Sequence, residues 1–165
     1  MPLHIEPFFH AGTGTWTYVV HHGGDAVVID PVLDYDPKSG RIGTESLRAV
    51  QDYVTGKGLK LRRILETHAH ADHLTSARVL RADSGAPVGI GAGIRQVQAH
   101  FAGVFGIAGD DPALADAFDA TFEHGDVIEA GGLHFEVLAT PGHTSDSLSY
   151  RIDGNVFIGD TLFAP

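Results

Sequence analysis

At 165 residues the chain is the size of one domain, and with 43% of its residues apolar it carries enough core-forming side chains to exclude a disordered protein. The absence of cysteine excludes a disulfide scaffold, a thiolate zinc finger, an iron–sulfur cluster and a cysteine nucleophile. A net charge of −10 leaves no footprint for nucleic acid or an anionic membrane, whereas eleven histidines equal the whole Lys+Arg count and make histidine placement the informative question.

The opening residues, MPLHIEPFFH, have no basic segment and no long apolar run, so they do not read as a signal peptide. No stretch approaches the roughly 20 apolar residues of a membrane span, and a soluble, cytoplasmic chain is expected. Residues 16–22 (WTYVVHH) and 26–30 (AVVID) read as two strands of a hairpin that turns at Gly23-Gly24-Asp25, and Pro31 ends the second. A turn-rich loop, LDYDPKSGR, follows. From Thr44 the spacing of Leu47, Val50 and Val54 predicts a helix that stops at Gly56 and Gly58. Ile64 and Leu65 lie in a short strand ending at Thr67, and residues 73–82 read as a helix with Leu74, Ala77 and Leu80 on one face.

A strand over 87–90, a helix over 94–101 and a short helix opened by Asp111-Pro112 come next. Three strand-like runs complete the chain: 126–129, 133–140, and 147–157 broken at Asp153-Gly154. Strands alternating with helices in this way predict a layered α/β architecture.

The chemistry concentrates in ILETHAHADH, residues 64–73, where His68, His70, Asp72 and His73 occupy six positions between a hydrophobic strand and a helix. Residues two apart point the same way in extended backbone, so His68 and His70 are expected to face one metal ion, with Asp72 and His73 swung beside it by the following turn. Imidazoles and a carboxylate suit zinc or non-haem iron. A polar loop with chance histidines is the bland reading, and the density of ligand-type side chains after a buried strand argues against it. TPGHTSDS sets His143 in a turn between strands, and FIGDTLF sets Asp160 after an apolar strand, with Gly159 permitting close approach. Alone, His143 reads equally well as a ligand and as a hydrogen-bonded turn histidine, whereas Asp160 alone reads as a helix-cap or turn residue; beside His68–His73 both become ligand candidates.

These segments together resemble the metallo-β-lactamase superfamily: THAHADH matches its H-x-H-x-D-H motif, GHT its later histidine and GDT its bridging aspartate, while Asp30 in VVIDP matches an early aspartate near the site. The resemblance spans essentially the whole chain, residues 1–165, and implies an αββα sandwich with the metal site at one edge of two sheets. In a two-metal arrangement His68, His70 and His143 would hold one ion, Asp72 and His73 the other, and Asp160 would bridge. VVIDPVLDYDPKSGR, ILETHAHADHLTSA and GDTLFAP look closest to the persulfide dioxygenase group, especially its bacterial β-lactamase-hydrolase-like members. That resemblance implies a single Fe(II) held by His68, His143 and Asp160. A two-histidine, one-carboxylate face leaves positions open for a persulfide sulfur and O2. His70, Asp72 and His73 would then orient ligands, substrate or water as catalytic neighbours, with Asp30 behind them.

The implied reaction oxidises glutathione persulfide, or a similar small persulfide, to sulfite and thiol. The alternative is a zinc-dependent thioester hydrolase of the glyoxalase II type, with one or two Zn(II) ions. A degenerate binding module is a third reading, against which every expected ligand type is present. The partners expected are a small thiol-derived substrate and O2, without nucleic acid or membrane, and with a homodimer left open. The family domain normally continues beyond GDTLF, so the resemblance implies a C-terminally truncated domain. Such a chain would outline one three-ligand centre without enclosing a substrate pocket, and would leave an apolar sheet face exposed.

Glycine-rich GIGAGI, residues 89–94, lacks the full G-x-G-x-x-G pattern, and packing explains it better than a nucleotide site. His4, His21, His22, His100, His124 and His134 have no partners at ligand spacing; His10 is grouped with them, although the segment it precedes could lie near the site. Tyr35 and Arg41, in the long loop, are candidate substrate-side residues.

Overall fold

The computed structural model describes residues 2–109 and 111–163. The chain opens with three antiparallel strands, β1 (His4–His10), β2 (Thr15–His22) and β3 (Asp25–Ile29), which pair β1 with β2 and β2 with β3. The predicted hairpin is β2–β3, turning at Gly23, whose φ of 60° suits glycine. Sequence patterning missed β1, which carries Pro7; at a sheet edge proline removes no ladder bond that the sheet needs. The long loop folds into small ladders, with β4 (Val32–Leu33) followed by β5 (Tyr35–Asp36) paired to β6 (Arg41–Ile42).

Helix α1 (Glu45–Gly56) leads into β7 (Lys60–Leu65), which pairs parallel to β3. The helix expected over 73–82 starts later. Leu74–Thr75 form β8, antiparallel to β4, and α2 runs Ala77–Ser84. The Thr75 hydroxyl accepts the Ala77 N–H at 3.0 Å and donates to Glu66, so this residue is committed before the helix begins, and Leu74 is exposed. Strand β9 (Val88–Gly91), α3 (Ile94–Phe105), the short α4 (Pro112–Ala115) and β10 (Ala120–Phe122) complete the first half; β10, too short to show a period, was not anticipated. Helix α3 outruns its predicted end, stopping where Gly106 takes φ 65°.

The first sheet is thus six-stranded, in the order β1-β2-β3-β7-β9-β10. The second is a four-stranded meander of β11 (Val127–Ala130), β12 (Leu133–Ala139), β13 (Leu148–Ile152) and β14 (Asn155–Phe157), and a 3₁₀ turn, Gly159–Thr161, follows.

Period-two alternation builds the core between the sheets. Val20, Val27, Ile29 and Leu65 of the first meet Ile128, Leu133, Phe135, Val137, Tyr150, Ile152 and Phe157 of the second. The opposite face of the first sheet, with Val19, Val28 and Ile64, takes Leu47 and Val50 of α1 and Ala77 and Leu80 of α2. The described residues therefore stack helices, sheet and sheet. The outer face of the second sheet is mixed: Glu129, His134, Glu136 and Arg151 share it with Val127, Leu138 and Val156. Across the strands Glu129 opposes His134 and Glu136 opposes Arg151, and an Arg151–Glu136 ion pair crosses β13 to β12.

Tyr150 ties the layers where the site begins. It is fully buried, and its hydroxyl donates to the Glu66 carbonyl at 2.7 Å, just past the end of β7. Tyr150→Phe should cost about 1–2 kcal/mol, because a buried carbonyl loses its donor. Urea unfolding monitored by circular dichroism measures that loss.

Candidate metal centre

One rim of the sandwich collects the chain ends that matter. Asp30 follows β3, Glu66–Thr67–His68 follow β7, the β12–β13 turn carries His143, and the turn after β14 carries Asp160. Asp30 anchors the rim. It is 4% exposed, sits at φ 50°, and is held in that uncommon conformation by Thr17, whose hydroxyl donates to its carbonyl at 2.7 Å. Its carboxylate accepts the Thr67 N–H at 2.7 Å and the Thr67 hydroxyl at 2.8 Å, and lies 3.1 Å from His70 Nε2.

His68, His143 and Asp160 converge. Each offers a donor atom lying within 4.8 Å of the other two, with Asp160 Oδ2 3.9 Å from His68 Nε2 and 3.5 Å from His143 Nε2. Donors about 2.0–2.2 Å from a shared ion stand roughly 3.0–3.5 Å apart, so small side-chain adjustments close the set. His68 is 1% exposed, and its Nε2 is buried without a hydrogen-bond partner, while Nδ1 is 3.0 Å from the Thr67 hydroxyl. An orphaned imidazole nitrogen aimed at a carboxylate and a second imidazole is what an ion would satisfy. Burial first, then the neighbouring charge of His70, pushes the His68 pKa down, which keeps its lone pair free near neutral pH.

Gly159 lets the Asp160 turn approach. It has φ 49°, and a Cβ there would stand 2.3 Å from the Thr67 hydroxyl oxygen and 3.3 Å from His68 Nδ1. The sequence reading of this glycine as a close-approach residue matches that geometry.

His70 falls in a different donor trio from His68, although the two rings stand 4.2 Å apart. The expectation that both face one ion assumed extended backbone, but β7 ends at Leu65 and residues 67–73 bend and turn. His70 Nε2 lies instead 3.1 Å from both Asp30 Oδ1 and Glu66 Oε2, and these three residues form a second, buried donor trio. Burial alone would lower the His70 pKa, but the Asp30 charge and the hydrogen bonds to Asp30 and Glu66 outweigh it and hold the imidazolium up to about 11. Burial raises the Glu66 carboxyl, whereas Asp30 is held below the usual carboxylate range, burial being overcome by the His70 charge and hydrogen bond and by Thr67. Asp30, His70 and Glu66 thus share one buried space in which the histidine is answered on both sides by an acidic side chain.

His70, Asp72 and His73 form a third trio. His73 Nδ1 is 3.2 Å from Asp72 Oδ2, its Nε2 is buried and unpartnered, and burial with the nearby His70 charge lowers its pKa. Beside this trio opens a groove of about 910 Å3 lined by His70–Leu74, the β5–β6 hairpin with Tyr35 and Arg41, and His10. The two loop residues singled out from sequence do face the same groove as the histidine motif.

A family model for the metallo-beta-lactamase superfamily matches residues 11–165. The chain belongs to that superfamily. A β-lactamase hydrolase-like protein of Agrobacterium fabrum is 40% identical over 164 residues, covering 98% of this chain and 38% of the relative. A hydroxyacylglutathione hydrolase of Rhodopseudomonas palustris is 35% identical over 137 residues, covering 80% of this chain and 47% of the relative. Among solved structures, ETHE1 from Myxococcus xanthus superposes with a TM-score of 0.74 at 31% identity, covering 97% of this chain and 58% of the other. The chain therefore spans less than two thirds of each of these proteins. Among the described residues no helix is long and apolar enough to cross a membrane.

Within the superfamily frame, sequence reasoning missed Glu66, Thr67, Thr15 and Asp146. Glu66 had a signal: a carboxylate closing a strand of buried aliphatics needs a partner. Thr15, whose hydroxyl lies 3.5 Å from His73 Nδ1, and Asp146 reach the motif only through folding. The glycines of GIGAGI are packing residues, as expected: a Cβ at Gly89 would meet the Phe122 ring at 2.4 Å.

The raised His70 pKa fixes the sign of a pH effect in the metal-free protein. Protonated His70 contributes stability that is complete below its ordinary value of 6.5 and is lost as pH rises through about 11. Wild type should therefore lose more stability than His70→Gln between pH 7 and 11, measured by urea unfolding at each pH.

Proposed function

We propose that this chain carries the metal centre of a non-haem Fe(II) persulfide dioxygenase, which converts glutathione persulfide or a similar small persulfide, with O2 and water, to sulfite, thiol and two protons. The observation that carries the reading is the His68–His143–Asp160 trio, two imidazoles and one carboxylate from three separate segments, beside a His70 whose Nε2 is engaged with Asp30 and Glu66. Two histidines and one carboxylate on one face suit Fe(II), which when bound supplies the O2 and redox chemistry that zinc lacks. The resemblance of ETHAHADH and DYDPKSGR to the β-lactamase-hydrolase-like branch supports it, as does the Agrobacterium fabrum relative of that name.

The chain's own residues divide the work. His68 is buried and neutral, ready to donate its Nε2 lone pair, and Asp160 offers the single carboxylate. His70, Asp72 and His73 line the groove, and the His70 ring stands 4.2 Å from that of His68; there they would orient a substrate sulfur and the displaced thiol and take up or release a proton. His70, held between Asp30 and Glu66, would present a fixed ring at the groove wall. Tyr35 and Arg41, opposite the histidines, would contact the thiol carrier.

A zinc-dependent thioester hydrolase is the second reading. The His70–Asp72–His73 trio, with its unpartnered His73 Nε2, and the hydroxyacylglutathione hydrolase relative favour it. In that case the second set of donors would hold a further Zn(II), and the bound ions would supply hydroxide near neutral pH.

Metal analysis of anaerobically purified protein, with parallel assays on the full-length protein, separates the two. Iron content with O2 uptake on glutathione persulfide is expected; zinc content with S-lactoylglutathione hydrolysis would replace the dioxygenase by the hydrolase. His68→Ala and Asp160→Ala should each lose more than about a hundredfold in activity and metal retention, since even an outer-sphere partner is worth roughly 10–100-fold.

A further inference from the structure

We propose that Asp146 is a positioning residue, which pins the backbone between His68 and His70 and so fixes where the His68 imidazole stands relative to His143. The inference rests on the metal-centre reading of His68, His143 and Asp160 and extends it to how that centre is held. Asp146 lies three residues after His143, on the same β12–β13 connection. It is 3% exposed, and its Oδ2 accepts the N–H of Ala69 at 2.9 Å. A second tie runs alongside: the N–H of Leu148 donates to the Thr67 carbonyl at 2.8 Å. The two bonds bracket His68, one at the residue before it and one at the residue after. The loop bearing one imidazole is thereby fastened to the loop bearing the other.

The seat for Asp146 is the last residue of β9, Gly91, with Gly93 in the turn that follows. A Cβ at Gly91 would stand 2.7 Å from the Asp146 carbonyl oxygen, and a Cβ at Gly93 would stand 2.9 Å from both its Cα and its Cβ. Neither glycine has a left-handed φ, so what they provide is space. This accounts for the glycine-rich segment, which the proposed reaction does not use. Asp146 belongs to none of the three donor trios, so it is not offered as a ligand. Its Oδ1 is buried without a hydrogen-bond partner. A buried carboxylate with one oxygen unanswered is a poor device for stability alone. Its position is accounted for by the geometry it imposes on Ala69.

The test compares the full chain with Asp146→Ala, Asp146→Asn and Gly93→Ala. Hydrogen exchange at the Ala69 amide is followed in the metal-free state, zinc affinity by chelator competition, and the cobalt(II) absorption spectrum as a report of ligand geometry. In Asp146→Ala, Ala69 should exchange at least about tenfold faster while the β3 amides keep their protection, zinc affinity should fall roughly 10–100-fold, and the cobalt spectrum should shift. Asp146→Asn, whose side-chain oxygen still accepts the amide, should stay within about threefold of wild type in zinc affinity.

Gly93→Ala leaves the carboxylate but displaces its seat, and should weaken zinc binding with the fold intact. Should Asp146→Ala fail to fold, the contrast between the Asn and Gly93→Ala variants decides the matter. Wild-type affinity with Ala69 still protected in either Asp146→Ala or Gly93→Ala overturns the proposal, as does an Asn variant as weak as Gly93→Ala. A wild-type chain that binds no zinc or cobalt would remove the metal-centre reading instead, and the response of Ala69 exchange would still show whether the pin exists.

Discussion

The buried carboxylate of Asp30 is the interaction on which the rim depends. It ends a central strand in a backbone conformation that side chains seldom adopt, and it is answered by an amide, a hydroxyl and an imidazolium. Removing one partner of a buried ion pair typically costs about 3–5 kcal/mol, because the remaining charge keeps its desolvation penalty. The loop after β7 therefore cannot relax away from β3 without stranding that charge. Thr67, placed by Asp30, then sets the limits for its neighbours: its hydroxyl lies beside His68 Nδ1, its carbonyl receives β13, and its side chain leaves room for nothing larger than glycine at 159.

The sandwich supplies what a single loop could not. Three donors from segments far apart in sequence meet because the ends of β7, β12 and β14 share one edge of two sheets whose separation is set by Phe135, Tyr150 and Phe157. Tyr150 joins the two levels of organisation, packing within the core by its ring and reaching the Glu66 carbonyl by its hydroxyl. Packing errors in the core would therefore be read out as displacement at the rim.

The parts of the site legible in the sequence were those whose ligands are neighbours in the chain or sit in turns with glycine beside them. His68, His70, Asp72 and His73 announce themselves by density, and Gly159 by its place before Asp160. The hairpin of β2 and β3, the helices and the meander of the second half follow from period and punctuation. What stayed hidden depends on long-range pairing. Asp146 and Ala69 are 77 residues apart, and Thr15 and His73 are 58 apart; no local pattern marks either pair. The delayed start of α2 has the same origin, since Thr75 is claimed by Glu66 and β8 by β4, neither of which helical spacing can register.

The three donor trios are not equivalent, and the difference is electrostatic. In the His68 trio the imidazole is neutral and its Nε2 has no partner, so occupancy by an ion relieves a cost the protein already bears. In the Asp30 trio every donor is already paired with another, and an ion would have to displace the proton that holds His70 between two carboxylates. The His73 trio lies between these cases, with one unpartnered nitrogen but an exposed carboxylate already bonded to the same ring. An ion entering the rim would therefore settle first where His68 waits. Whether a second follows depends on how firmly Asp30 and Glu66 hold His70, the one residue common to the other two trios. On the proposed metal-centre reading, the balance between one and two bound ions would be set by Asp30 and Glu66, which in this arrangement grip the histidine instead of an ion.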